Sequence, residues 1–174
     1  MIQNISNLGD AAVYCDFGHE VNEAINSNVI NCFNYLTKLV NDKKIHGINN
    51  LTPSYNKLII SFDLSVTNYL KLEEIIKNLN FQKEIKKDNK KIEIPVCCDD
   101  EYGLDFQRLI EKLGISKDEI LKQYFNKQYF CYMTGFIAGM PFLGDISENI
   151  RCDRLETPRV KVPKGSVGIT EQFS

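Results

Sequence analysis

Two Gly/Pro-rich segments carry the residue types that could do chemistry here: TGFIAGMPFLGD at Thr134 to Asp145 and VPKGSVGI at Val162 to Ile169. The first holds no obvious nucleophile or base. Its glycines Gly135, Gly139 and Gly144 lack a Cβ and tolerate positive φ, so main-chain amides there could face a ligand. Lys164-Gly165-Ser166 could do the same for an anion, with the ammonium beside accessible N–H groups. The same glycines also suit the tight corners of a small β-barrel packed by Phe136, Met140, Phe142 and Leu143. Spacing alone leaves both readings open. PKGS is not a Walker loop, because it lacks the glycine ahead of a Gly-Lys pair that such a loop requires.

Other reactive residue types point to structure. His19 and His46 are the only histidines, and neither lies beside a Cys or Ser arrangement suited to nucleophilic catalysis. Cys15, Cys32, Cys97, Cys98, Cys131 and Cys152 are irregularly spaced and mostly within apolar segments, so reduced thiols are expected. The adjacent pair Cys97-Cys98 has no second pair and no nearby histidine, whereas a zinc site needs about four N/S ligands. No metal site is expected. Asp99, Asp100, Glu101 and Asp105 form an acidic cluster that reads as helix initiation, since acids at a helix start complement its dipole.

The elements that must position these residues are legible from periodicity. DAAVYCDF (Asp10 to Phe17) reads as a strand, followed by a helix with Val21, Ile25, Val29, Cys32, Phe33, Leu36 and Leu39 at three- and four-residue steps. Two short β-rich stretches, IHGINNLTPSY and KLIISFD, flank Pro53, and YLKLEEIIKNLNF returns to helical spacing. This order predicts an α+β layer with helices on one face of a small sheet, over residues 1–82. A charged run at 83–90 reads as a linker. From residue 91, KIEIPVCC reads as a strand, then come two helices, with capping-box spacing between Ser116 and Glu119, and a strand in QYFCYMTGF. No helix is expected beyond Gly135.

At 174 residues and 43% hydrophobic, the chain can bury a core. A net charge of -2 with scattered lysines argues against nucleic acid as a partner. Without a secretory pattern or an apolar run near the roughly 20 residues of a membrane helix, a cytoplasmic location is expected.

GFIAGMPFLG followed by TPRVKVPKGSVGI resembles a bacterial family variously called allophanate hydrolase subunit 1, sporulation kinase inhibitor KipI and the B component of 5-oxoprolinase. GDAAVYCDFG, TPSYNKLIISFD and IEIPVCCDDEYGLDF are similar to further family segments, in the same order along nearly the whole chain. The resemblance implies an α/β amino-terminal domain followed at 91–174 by a cyclophilin-like β-barrel. It implies a non-autonomous subunit of an ATP-dependent amidohydrolase of 5-oxoprolinase or allophanate hydrolase type, not active alone. The implied partners are a carboxyltransferase-like second subunit and a third, substrate-handling subunit, with ATP and magnesium bound by the assembled complex. The alternatives it carries are a regulator that binds and inhibits a histidine kinase, and an inactive relict.

The candidate substrate- or nucleotide-binding positions are Gly135, Phe136, Gly139, Pro141 and Phe142 in the first segment, and Arg159, Pro163, Lys164, Gly165 and Ser166 in the second. Arg159 offers a planar fork for an oxyanion and Lys164 a point charge; a barrel-rim location accounts for both cations equally well. No catalytic residue is assigned. Ala138, Met140 and Phe142 depart from the family's Pro, Phe and Tyr. The family pattern also continues past Gly-Ile into further strands, so a barrel lacking its last strands is expected, with an open edge inviting self-association or a partner.

Overall fold

The computed structural model describes residues 1–81 and 90–174, and the chain divides into two compact units, Met1–Asn89 and Lys90–Ser174. Apart from Lys90, the expected linker lies outside the described residues. The first unit runs β1 (Asn4–Asn7), β2 (Ala12–Asp16), α1 (Glu23–Asn41), β3 (Ile48–Pro53), β4 (Lys57–Phe62) and α2 (Tyr69–Lys77). Its sheet is antiparallel throughout, in the order β1-β2-β4-β3.

Alternation selects the buried face. Val13 and Cys15 on β2 and Leu58, Ile60 and Phe62 on β4 are buried, and they meet Val29, Cys32 and Leu36 of α1 and Leu72 and Ile76 of α2 in one cluster. Both helices therefore cover the same face of the sheet, as the period-2 and period-3.6 patterns required. Truncating a fully buried member such as Leu36 to Ala costs about 2–5 kcal/mol. Each helix opens on an asparagine: the Asn22 side chain accepts from the Ile25 N–H at 2.9 Å and that of Asn68 from the Lys71 N–H at 3.0 Å. Pro53 ends β3, which is an edge strand, so its missing donor disturbs no inner ladder.

β1 adds a strand that the sequence pattern did not signal. NISN has one apolar residue and little strand propensity, and it is held by its pairing with β2, where Ile5 stands opposite Cys15.

The second unit contains α3 (Phe106–Leu113), α4 (Lys117–Phe125), β5 (Phe130–Thr134), β6 (Pro141–Gly144) and a 3₁₀ turn at Glu148–Ile150. Gly114 ends α3 at φ 68°, a left-handed cap that suits glycine. The Ser116 hydroxyl accepts from the Glu119 N–H at 3.3 Å, one arm of the expected capping box. The Glu119 carboxylate accepts from the Gln123 amide at 2.9 Å. The core is Ile120, Ile146 and Ile150, ringed by Phe106, Leu109, Ile110, Tyr124 and Tyr129 among others.

Two expectations need correction. KIEIPVCC is not a strand: residues 91–98 are irregular, and Ile92 and Ile94 are exposed. Alternating β-branched residues make a strand only where a neighbouring strand takes up their backbone groups. Beyond Gly135 the chain does turn once through the 3₁₀ segment, because Ile150 is buried against the core and a single turn brings it there. Strand pairing in this unit consists, among the described residues, of the β5–β6 hairpin plus isolated bridges of the 170–174 segment, with no closed barrel. No helix among the described residues is long and apolar enough to cross a membrane.

Candidate functional site

TGFIAGMPFLGD folds as a hairpin. β5 and β6 pair antiparallel, with Thr134 opposite Pro141 and Phe130 opposite Gly144. The connection closes on itself: the Gly135 N–H donates to the Met140 carbonyl at 3.0 Å and the Met140 N–H to the Ile137 carbonyl at 3.2 Å. At the tip, Phe136 is held at φ 66° and is 91% exposed, and Ile137 beside it is exposed as well. An aromatic ring displayed to water on a left-handed residue costs free energy twice, once in hydration and once in backbone strain. Phe142 and Pro141, on the strand, are half-buried.

The glycines of this stretch serve separate ends. Gly139 adopts φ 80° in the turn with nothing near its missing Cβ. A Cβ on Gly144 would lie 2.9 Å from the Tyr132 ring and 3.0 Å from the Phe173 ring, so what approaches the backbone there is the protein's own aromatic packing. On Gly135 it would meet the far end of the Met133 side chain at 2.8 Å. Gly139 thus serves the turn and Gly144, at the end of β6, the ring packing, while Phe136 packs no corner.

At the base of the hairpin a set of side chains meets that the sequence did not single out. The Asp145 carboxylate accepts from the Tyr132 hydroxyl at 3.2 Å and from the Gln172 amide. Leu143 and Ser174 exchange backbone bonds of 2.8 Å in both directions, and the Ile146 N–H donates to the Gln172 carbonyl at 2.9 Å. Residues 170–174 thus lie alongside β6. The one signal available in advance was that an aspartate inside an apolar run needs donors.

The second candidate segment is exposed and irregular. Pro163 to Ser166 form a β-turn with Gly165 at φ 83°, and both the N–H and the hydroxyl of Ser166 turn back onto the Pro163 carbonyl, at 3.2 and 2.8 Å. Ser166 therefore spends its donors within the turn, and Lys164 projects from it as an exposed ammonium. Arg159 pairs with Asp105, the residue preceding α3. Upstream, Asp153 is gripped by Lys112 and by Arg108 of α3, and these cations hold its carboxyl below the ordinary aspartate range. Arg108 also donates to the Cys152 sulfur at 3.2 Å.

Two members of the acidic cluster, Asp100 and Asp105, are drawn into ion pairs. Asp105 occupies the N-cap position of α3 without a side-chain capping bond and is given over to Arg159. Asp100 pairs with Lys117 at 2.5 Å, an interaction that lowers its carboxyl. Among the described residues no group of three or more His, Cys, Asp or Glu could hold a metal ion. His19 and His46 are exposed. The ten candidate residues thus divide between a hairpin whose tip is apolar and a cationic segment tied to α3; the arrangement offers contact surface and charge, with no nucleophile–base pair.

Known proteins resemble this chain in sequence and in fold. A family model described as the carboxyltransferase domain, subdomain C and D, matches residues 3–174. A Bacillus subtilis protein, named as the B component of 5-oxoprolinase, is 32% identical over 183 aligned positions, covering 95% of this chain and 72% of that protein. A Haemophilus influenzae protein of the same name is 35% identical over 123 positions, covering 71% of this chain and 54% of that protein. The crystal structure of TTHA0988 superimposes with a TM-score of 0.78 at 24% identity, over 94% of this chain and 31% of the other, which shows a shared mixed α/β fold with antiparallel sheets. By sequence, over residues 3–174, the chain belongs to the carboxyltransferase-domain family, subdomains C and D.

Proposed function

We propose that this chain serves as the B-type component of a 5-oxoprolinase complex, in which ATP-dependent opening of the lactam of 5-oxoproline yields glutamate. The observation that carries the reading is the chain-wide identity of 32% to a protein named as that component. The second unit is then read as part of a cyclophilin-like barrel, and the partners as a carboxyltransferase-like subunit and a substrate-handling subunit.

The chemistry fits a shared site. Amide resonance makes a lactam a poor electrophile, so phosphorylation of its oxygen would supply a leaving group, and the protein's share is positioning and positive charge. Arg159 and Lys164 supply that charge. The 163–166 turn is not a phosphate cradle by itself, because Ser166 bonds back to Pro163, so ATP and magnesium are assigned to the assembled complex. The displayed Phe136 and Ile137 are the apolar anchor with which this chain meets its partner.

The test is glutamate release from 5-oxoproline and ATP by this chain alone, by the partner subunits alone, and by all together. Turnover is expected only in the full mixture. Partners that turn over with another B-type component and stay silent with this chain would overturn the assignment, and binding to a histidine kinase in that case would move the protein to the regulatory reading.

A further inference from the structure

Six free cysteines are present, and the structure sorts them. Cys15 and Cys32 are buried, and burial pushes both thiols up to about 12. Cys152 is buried beneath the Arg108 guanidinium. Cys131 is exposed on β5 as a single thiol, facing the Met133 carbonyl at 3.5 Å. Cys97 is exposed and its neighbour Cys98 half-exposed. They differ from the rest in being adjacent in the chain with neither of them buried.

Had KIEIPVCC formed a strand, successive side chains would point to opposite faces and the two sulfurs would diverge. The segment is irregular up to Asp99, so no ladder enforces that divergence. Cys98 also lies within electrostatic range of the Lys117 ammonium, whose pairing with Asp100 keeps it firmly protonated.

The geometry points to Cys97 and Cys98 as an accessible vicinal dithiol that chelates trivalent arsenic. Thiolates select soft, thiophilic centres. Zinc would require about four ligands. An organoarsenic(III) centre requires two, its third bond being to carbon. With an arylarsonous acid, each thiol proton leaves with one arsenic-bound hydroxyl as water, two As–O bonds break and two As–S bonds form. No oxidation state changes. The site is independent of the 5-oxoprolinase reading.

The experiment treats the intact protein with phenylarsine oxide in excess glutathione and follows intact mass, then adds 2,3-dimercaptopropanol. One adduct per chain is expected, resistant to the monothiol, removed by the dithiol, located on the tryptic peptide of residues 92–108, lost in Cys97→Ser and in Cys98→Ser, and kept in Cys131→Ser. Circular dichroism establishes that the variants fold, and the peptide location in the wild-type protein stands without them. Absence of a monothiol-resistant adduct would overturn the inference, as would an adduct that maps to any other peptide or persists in Cys97→Ser.

Discussion

The Arg159 guanidinium donates to the carboxylate of Asp105, 54 positions earlier, and so fastens the cationic segment to the start of α3. The side chains are 35% and 42% exposed, and pairs this accessible contribute about 0–1 kcal/mol. Arg159→Ala and Asp105→Asn are therefore expected to leave the melting temperature within about 4 °C of wild type. Activity in the reconstituted complex separates them: Arg159→Ala removes the cation and lowers kcat/KM at least about tenfold, whereas Asp105→Asn keeps it and loses less. Equal rates for wild type and Arg159→Ala would reduce the residue to an anchor.

Phe136 sits at φ 66° with its ring in water. Glycine adopts that conformation without strain, so Phe136→Gly is expected to hold or raise stability, the strain relief of about 1 kcal/mol being offset by greater freedom of the unfolded chain. Its cost falls on assembly. If the ring anchors the partner subunit, the dissociation constant rises by about tenfold or more, read by calorimetry or co-elution. A variant that binds as wild type would move the interface away from this hairpin.

The sequence disclosed what repeats and concealed what depends on neighbours. Helices α1 and α2 and strands β2 and β4 announced themselves because one buried face imposes a period, as with Val13/Cys15 or Val29/Cys32/Leu36. β1 and the irregular 91–98 segment are the converse cases: NISN pairs despite its polarity, and KIEIPVCC stays unpaired despite its alternation. Strand formation is decided by a partner that local sequence does not contain. At the candidate site, the motifs located both segments, yet Asp105–Arg159 and Asp145–Tyr132–Gln172 join residues far apart in sequence and carry no local signature.

Gly144 tests the packing account of the glycine-rich stretch. A methyl group there would meet the Tyr132 ring, which is buried, and the Phe173 ring, which stacks edge-on against it at 5.8 Å. Gly144→Ala is expected to destabilise the second unit by about 1–3 kcal/mol through overpacking. Gly139→Ala meets no atom and acts through its φ of 80° alone, costing about 1 kcal/mol. Thermal melts of both variants check the order. Gly139→Ala as the more damaging change would point to the turn, and not the ring contact, as the constraint.

Asp16 gives the first unit a defined acid response. Burial opposes its charge, but its carboxylate accepts from the Lys57 ammonium and from the Gly18 N–H at 2.8 Å, with His19 adding positive potential, and the net effect lowers its pKa. A carboxyl depressed on folding contributes stability above its unfolded pKa, about 3.9, and loses it as pH falls through the lower folded value. Asp16→Asn keeps an oxygen for the Gly18 N–H but leaves Lys57, whose side chain is 20% exposed, without its counter-charge. The variant should be about 1–3 kcal/mol less stable than wild type at pH 7, and the gap should close as pH falls below about 3.9. Denaturant unfolding at a series of pH values measures that difference directly; a gap that stays the same size as the carboxyl is protonated would assign the loss to altered packing and not to the ion pair.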